Sequence, residues 1–132
     1  MELKRVVVTG LGAITPLGND VETTWTNAKE GVSGAGPITH FDASKFKTQF
    51  ACEVKGYNAA DHFDRKKERQ LDLYAQYALV AARQAVKDSG LDGEGIDHNR
   101  VGVIVAAGIG GLHTFEEEAG YYALTGEEKG PK

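Results

Sequence analysis

Cysteine is nearly missing from this chain, since Cys52 is the only thiol among its 132 residues. A single cysteine excludes an internal disulfide and favours a reducing compartment, so we expect a cytoplasmic protein. No two of the four histidines have the spacing of a metal site, and Cys52 lies near none of them. We therefore expect neither a metal nor another cofactor.

Long apolar runs and a strong charge excess are also lacking. The longest weakly polar run, residues 101–112, contains four glycines and is too short to cross a membrane. The charged start of the chain leaves no room for the apolar region of a signal peptide. A net charge of −4 argues against nucleic acid as a partner. With 41% hydrophobic and 26% charged residues, the composition is that of a soluble globular domain.

Residues 5–18 are the most informative segment. Three consecutive valines predict a strand over residues 4–10, buried on both faces, before a glycine-rich turn and a helix. Many such units bind nucleotides, but Thr15 stands where a dinucleotide fingerprint needs its third glycine, and no P-loop lysine follows. We expect Gly10 and Gly12 to shape a tight turn, which leaves a nucleotide-dependent oxidoreductase as the less favoured alternative.

Two helix starts are predicted from capping boxes. Asn19 with Glu22 opens a helix that ends at Gly31, and Thr114 with Glu117 opens another towards the end of the chain.

The longest helix is predicted from one narrow apolar stripe, which Gly90 ends as a C′ glycine. Its small side chains would let the helix approach a neighbour closely. The stripe consists of Leu71, Ala75, Ala78, Leu79, Ala82 and Val86.

The predicted element order is β-α-β-α-β-α. Further strands are expected over residues 50–54 and 101–107, and a helical turn over residues 59–63. Because such a sheet would have uncovered edges, we expect the chain to be the front of something longer.

Several residues are candidates for chemistry or binding. Cys52 lies in a predicted strand without a cationic neighbour, so an inert thiol is expected. His113 follows two glycines and is a candidate to face a pocket. Residues 64–69 hold four basic side chains at the predicted start of the long helix; they form either a solvated helix start or a surface for an acidic partner. The glycine turn at residues 108–111 follows a predicted strand, where ligand sites of α/β sheets gather.

Taken together, these segments resemble the N-terminal part of β-ketoacyl-acyl-carrier-protein synthases, condensing enzymes of bacterial fatty acid synthesis. Several separate motifs occur in the family's order and spacing along the whole chain. They are residues 5–12, 15–18, 31–34, 65–66, Arg69, Asp72, 88–91, 101–105 and 108–112.

The resemblance implies an α/β fold of the thiolase-like class, with α-β-α-β-α layers, in a homodimer. Residues 1–132 would be an incomplete N-terminal portion of the synthase's N-terminal domain. It also implies decarboxylative Claisen condensation, with acyl- and malonyl-loaded acyl carrier protein as partners. A non-catalytic relative, such as a chain-length factor or polyketide synthase partner, is the main alternative.

The resemblance also assigns residues. Ile109 matches the residue that lines the acyl pocket and gates chain entry. Lys66 and Arg69 match positions near the carrier-protein docking face, and Lys132 is a candidate for another. The family's nucleophilic cysteine and both catalytic histidines would lie beyond Lys132, and Cys52 does not occupy the nucleophile's place, so no catalytic residue is expected here.

Overall fold

A computed structural model describes residues 4–128 and 130 of the chain. These residues form two compact units, one of residues 4–57 and 80–96 and the other of residues 58–79 and 97–130. The described part contains four α-helices, two short strands and two 3₁₀ turns. The helices are α1 (Val21–Lys29), α2 (Arg65–Gln70), α3 (Leu73–Ser89) and α4 (Leu112–Thr125); the strands are β1 (Gly36–Pro37) and β2 (Phe50–Ala51); the 3₁₀ turns are Ala59–Asp61 and His98–Arg100.

The first helix begins one residue later than its capping box predicts. The N-cap of α1 is Asp20, whose carboxylate accepts hydrogen bonds from the backbone N–H and the hydroxyl of Thr23 at 2.7 and 2.8 Å. The backbone bond from Thr23 is the main reason that the pKa of Asp20 lies below its ordinary value. Asn19 lies one residue before the cap, and its side-chain amide donates to the carbonyl of Lys55 at 3.0 Å. The predicted Asn19–Glu22 box is therefore wrong.

Helix ends follow the local sequence closely. Gly31 after α1 and Gly90 after α3 have positive φ angles of 70° and 66°. Past Gly90, the N–H of Leu91 donates to the carbonyl of Val86 at 3.3 Å, as in a Schellman motif. The predicted ends of both helices are confirmed.

The basic cluster does not lie at the start of the long helix. Leu71 adopts extended angles, φ −117° and ψ 124°, and separates α2 from α3. The side chain of Gln76, only 4% exposed, donates to the carbonyls of Glu68 and Leu71 at 3.3 and 2.9 Å. It thereby adds a second donor to the Glu68 carbonyl, which also accepts from the N–H of Leu71, and supplies a donor to the Leu71 carbonyl just past α2. The cluster forms a short helix of its own.

Two of the three predicted strands do not form in the described part of the chain. Residues 4–10 and 101–107 are in no strand, and Val6 and Ile104 are 89% and 97% exposed. A strand requires a hydrogen-bonded neighbour, and no other described segment forms a backbone ladder with either run. Near the third prediction, β2 pairs antiparallel with β1, with Gly36 opposite Ala51.

Gly10 and Gly12 lie directly against the backbone of α3. A Cβ atom on Gly12 would come within 2.8 Å of the nitrogen of Ala85, and one on Gly10 within 2.5 Å of the nitrogen of Ser89. Neither glycine has a positive φ. Their lack of a side chain thus permits close approach to a helix and does not form the predicted tight turn, which lies instead at residues 15–18.

Polar side chains of α3 hold the same segment in place. The N–H of Leu11 donates to Asp88 Oδ2 at 2.9 Å, and the N–H of Ala13 donates to Gln84 Oε1 at 3.0 Å. The amide group of Gln84 also donates to the carbonyl of Asn19 at 2.8 Å. With its glycines covered by a helix, this segment does not present them to a phosphate.

Candidate functional site

The glycine turn at residues 108–111 is held from one side by an aromatic ring. A Cβ atom on Gly110 would stand 2.7 Å from Cζ of Tyr74 and within 3.0 Å of two further ring atoms. Tyr74 belongs to the first turn of α3. The ring therefore occupies the space that any side chain at position 110 would need.

A hydrogen bond holds the other end of the turn. The hydroxyl of Thr114 donates to the carboxylate of Asp72. Helix α4 begins at Leu112, with Gly111 (φ 68°) as an N-cap that makes no side-chain capping bond. The predicted Thr114–Glu117 capping box is wrong, because α4 has already begun two residues before Thr114.

Ile109 is the one large side chain in this turn. It is 77% exposed in the structure. Two contacts, Tyr74 with Gly110 and Asp72 with Thr114, lie on its C-terminal side. Its assignment to an acyl pocket stays a prediction.

Helix α2 presents a basic surface. Asp64 caps it by accepting from the backbone N–H of Lys67 at 2.8 Å. Lys66 and Arg69, three positions apart and so on one face of the helix, are both exposed. Together with Arg65 and Gln70 they line a cavity of about 300 Å³. The third predicted docking residue, Lys132, lies outside the described residues.

A second cavity of about 300 Å³ is more polar. It extends from the end of α2 to the first turn of α4, so Arg69 and the Asp72–Thr114 pair line the same space. His113 also lines it, although its side chain is 84% exposed; its Nε2 atom lies 3.3 Å from a carboxylate oxygen of Glu117. The full lining is Arg69, Gln70, Leu71, Asp72, Leu73, Gln76, His113, Thr114 and Glu118.

Sequence reasoning missed the anchoring residues. From the sequence, Asp72 is only part of a motif that matches the family, and nothing singles out Tyr74. Only the chain's folding reveals these contacts, since Asp72 and Thr114 are 42 positions apart. No periodicity or short motif could have linked them.

Other candidates show little chemistry. Cys52 is a free, exposed thiol. Within residues 4–128 and 130, no group of three histidine, cysteine, aspartate or glutamate side chains is placed to hold a metal ion. None of the helices in the described part of the chain is both long and apolar enough to span a bilayer.

Solved structures with a similar fold show the class of protein to which this chain belongs. The fold is similar to that of the ishigamide ketosynthase/chain length factor, with a TM-score of 0.71, 29% identity, and coverage of 92% of this chain and 30% of that one. It is equally similar, with a TM-score of 0.71 and 31% identity, to a chain of the solved complex between a type II PKS acyl-carrier protein and its ketosynthase bound to the hexaketide. This match covers 94% of this chain and 32% of that one. The predicted fold class, the α/β thiolase-like fold of ketosynthases, is confirmed.

The family follows from the sequence. The family model described as "Beta-ketoacyl synthase, N-terminal domain" matches residues 3–130, so the chain belongs to the β-ketoacyl synthase family. It is 50% identical over 113 residues to 3-oxoacyl-[acyl-carrier-protein] synthase 2 of Staphylococcus aureus (strain N315), which is 86% of this chain and 27% of that protein. Over all 132 residues it is 46% identical to the Vibrio harveyi protein of the same name, covering 31% of it. The chain thus spans about a third or less of these relatives.

Proposed function

We propose that this chain is part of a β-ketoacyl-[acyl-carrier-protein] synthase that elongates acyl chains in fatty acid biosynthesis. The observation that carries the proposal is 46% identity over all 132 residues to a relative named 3-oxoacyl-[acyl-carrier-protein] synthase 2. The reaction is a decarboxylative Claisen condensation of an acyl-enzyme with malonyl-carrier protein. The chain-length-factor alternative draws on one structural neighbour, whereas the curated relatives quoted above are named as synthases.

The chemistry has two stages. A cysteine thiolate attacks the acyl thioester, forms a new thioester, and releases the carrier's thiol. Malonyl-carrier protein then loses carbon dioxide, and its carbanion forms a carbon–carbon bond to the acyl carbon while the cysteine thiolate leaves. An oxyanion hole stabilises the tetrahedral intermediates of both stages. We place the cysteine and two assisting histidines beyond Lys132, as the family resemblance implies.

We propose that residues 1–132 form an incomplete portion of the synthase's N-terminal domain. Val6, Val8 and Ile104 are 89%, 77% and 97% exposed, although such apolar side chains are normally buried. Neither of the two runs that contain them has a backbone ladder within the described residues. Partner strands from elsewhere in the protein would cover both.

We assign binding roles to the residues that the family resemblance singles out. Ile109 lines the acyl pocket and gates chain entry, and its isolation as the one large side chain in a glycine turn supports this role. Lys66 and Arg69, exposed on one face of α2, dock the acidic acyl carrier protein. Lys132 is assigned as a further docking residue on the family resemblance alone. A related ketosynthase solved in complex with its acyl-carrier protein supports the choice of partner.

We further propose that the complete protein is cytoplasmic and forms a homodimer. The single cysteine is consistent with a reducing compartment. Light scattering on the purified full-length protein measures the second of these claims directly.

The test of the function is a condensation assay on the full-length protein. Purified protein is mixed with acyl-carrier protein and malonyl-carrier protein, and the carrier-bound products are identified by mass spectrometry. We expect β-ketoacyl product that is two carbons longer than the acyl substrate, and none when malonyl-carrier protein is omitted. Unconsumed thioesters after prolonged incubation would contradict the proposal.

A further inference from the structure

The backbone of the turn that contains Ile109 makes few restraining contacts of its own. Among the described residues, positions 102–110 take part in no backbone–backbone hydrogen bond. Such bonds resume where the N–H of Phe115 donates to the carbonyl of Gly111 at 2.9 Å. Within the described residues, the turn is therefore held by side chains that contact it.

Two of those side chains come from one short segment. Tyr74 places its ring against Gly110, and Asp72, two residues earlier, accepts the hydroxyl of Thr114. The Asp72 carboxylate also stands close to Gly111, where a Cβ atom would lie 3.0 Å from Oδ2. A negative charge is favourable there, because the first turn of the 14-residue helix α4 carries the positive end of the helix dipole.

The segment that carries these side chains is itself firmly placed. The carbonyl of Asp72 accepts from the N–H groups of Ala75 and Gln76, each at 3.0 Å, so its backbone forms the start of α3. The buried Gln76 amide holds the carbonyl of Leu71 at 2.9 Å. Side chains on such a firmly held backbone can hold in place a loop that makes no backbone hydrogen bonds of its own.

We propose that Asp72 and Tyr74 are positioning residues that fix the turn at residues 108–111, and hence the place of Ile109. The inference builds on the proposed role of Ile109 in the acyl pocket. Asp72 acts through the Thr114 hydroxyl, and Tyr74 acts through its ring on Gly110. Through Ile109 they affect how well the enzyme uses long acyl chains relative to short ones, since a long chain must pass Ile109 and a short one need not.

The experiment measures kcat/KM of the full-length protein for hexanoyl- and myristoyl-carrier protein. Thr114→Val removes the hydroxyl at nearly constant volume, and Tyr74→Ala removes the ring. For each variant we expect the myristoyl-to-hexanoyl ratio of kcat/KM to fall about tenfold. The conservative variants Thr114→Ser and Tyr74→Phe keep the contacting groups and should restore the ratio to within about twofold.

Matched controls make the same chemical changes elsewhere. Thr26→Val on α1 and Tyr122→Ala on α4 alter exposed side chains and should leave the ratio unchanged. If Thr114→Val and Tyr74→Ala slow both substrates equally, the positioning role is wrong. Should Tyr74→Ala fail to fold, Thr114→Val decides alone, because it exchanges one hydroxyl for a methyl group.

A second measurement separates this inference from the proposed function. Hydrogen exchange of the backbone amide of Phe115, which donates to the carbonyl of Gly111 at 2.9 Å, is compared between the wild type and Thr114→Val. We expect exchange about tenfold faster at this amide in the variant, and unchanged exchange in α1. Unchanged exchange at Phe115 would overturn the positioning role even if the enzyme is active, and faster exchange would support it even if the wild type proves inactive.

Discussion

Gly12 lies where a methyl group would collide with the backbone of α3. We expect Gly12→Ala to lower the stability of the full-length protein by about 1–3 kcal/mol, because a packed helix cannot move aside without strain. Thermal unfolding measures the change.

Gly120→Ala is the matched control. A Cβ atom at position 120, within α4, would meet nothing within 4 Å. Alanine is the better helix former by about 1 kcal/mol, so this variant should be slightly more stable. An equal loss of stability in both variants would show that close packing against α3 is not the reason for glycine at position 12.

Ile109 provides a residue-scale test of the acyl pocket. Ile109→Phe should shorten the acyl chains that the full-length protein accepts, because the larger ring fills space beside the entrance. We expect kcat/KM for long acyl chains to fall about tenfold, with short chains little affected. Leu124→Phe, at a side chain that is 88% exposed, is the control. An unchanged chain-length profile would count against the assignment.

At the scale of single elements, the charges of α2 lead to a prediction about carrier-protein binding. Reversing both Lys66 and Arg69 to glutamate should weaken carrier-protein binding, mainly through slower association. The loss should shrink as salt rises, since the Debye length is about 10 Å at 0.1 M and falls with added salt. Stability should change little, because exposed charges contribute about 0–1 kcal/mol each.

The measurement is carrier-protein affinity at two salt concentrations, for the wild type and the double reversal. Lys45→Glu with Lys47→Glu makes the same change of charge at two other exposed positions and should bind like the wild type. Equal affinity of wild type and double reversal at low salt would mean that α2 is only a solvated helix.

Element boundaries were predictable where the determining contacts are local. Gly31 and Gly90 end their helices as expected, because a left-handed C′ residue depends on a few neighbouring positions. Both predicted capping boxes place the N-cap at the wrong residue. The caps are Asp20 and Gly111, while the side chains of Asn19 and Thr114 bond to Lys55 and Asp72, which lie 36 and 42 positions away.

The contacts around the candidate site were less predictable. The charge pattern and the family resemblance point to Lys66, Arg69 and Ile109, and their binding roles stay predictions. The anchors Asp72 and Tyr74 were not found, because their contacts with the turn depend on how the chain folds back. The valine-rich runs were assigned to strands for their composition, but pairing requires a neighbour at the right distance.

For the molecule as a whole, we expect the 132-residue chain alone not to condense acyl and malonyl thioesters. The nucleophile and both histidines that the family resemblance implies would lie beyond it. The assay compares this chain with the full-length protein at equal concentration, with β-ketoacyl product as the readout. Detectable product from the 132-residue chain would contradict this expectation.

Where residues 10–13 contact α3, the spacing of residues along an extended chain must match the spacing of residues along a helix. Two residues of extended backbone advance about 6.6 Å, and four residues of helix advance about 6.0 Å. Leu11 can therefore meet Asp88 while Ala13 meets Gln84. The mismatch of about 0.6 Å per repeat accumulates, however, so a helix can guide extended chain for only a few such steps. Helix α3 thus sets the register of the chain only at residues 11–13. The backbone at residues 6–8 stays available to a neighbouring strand.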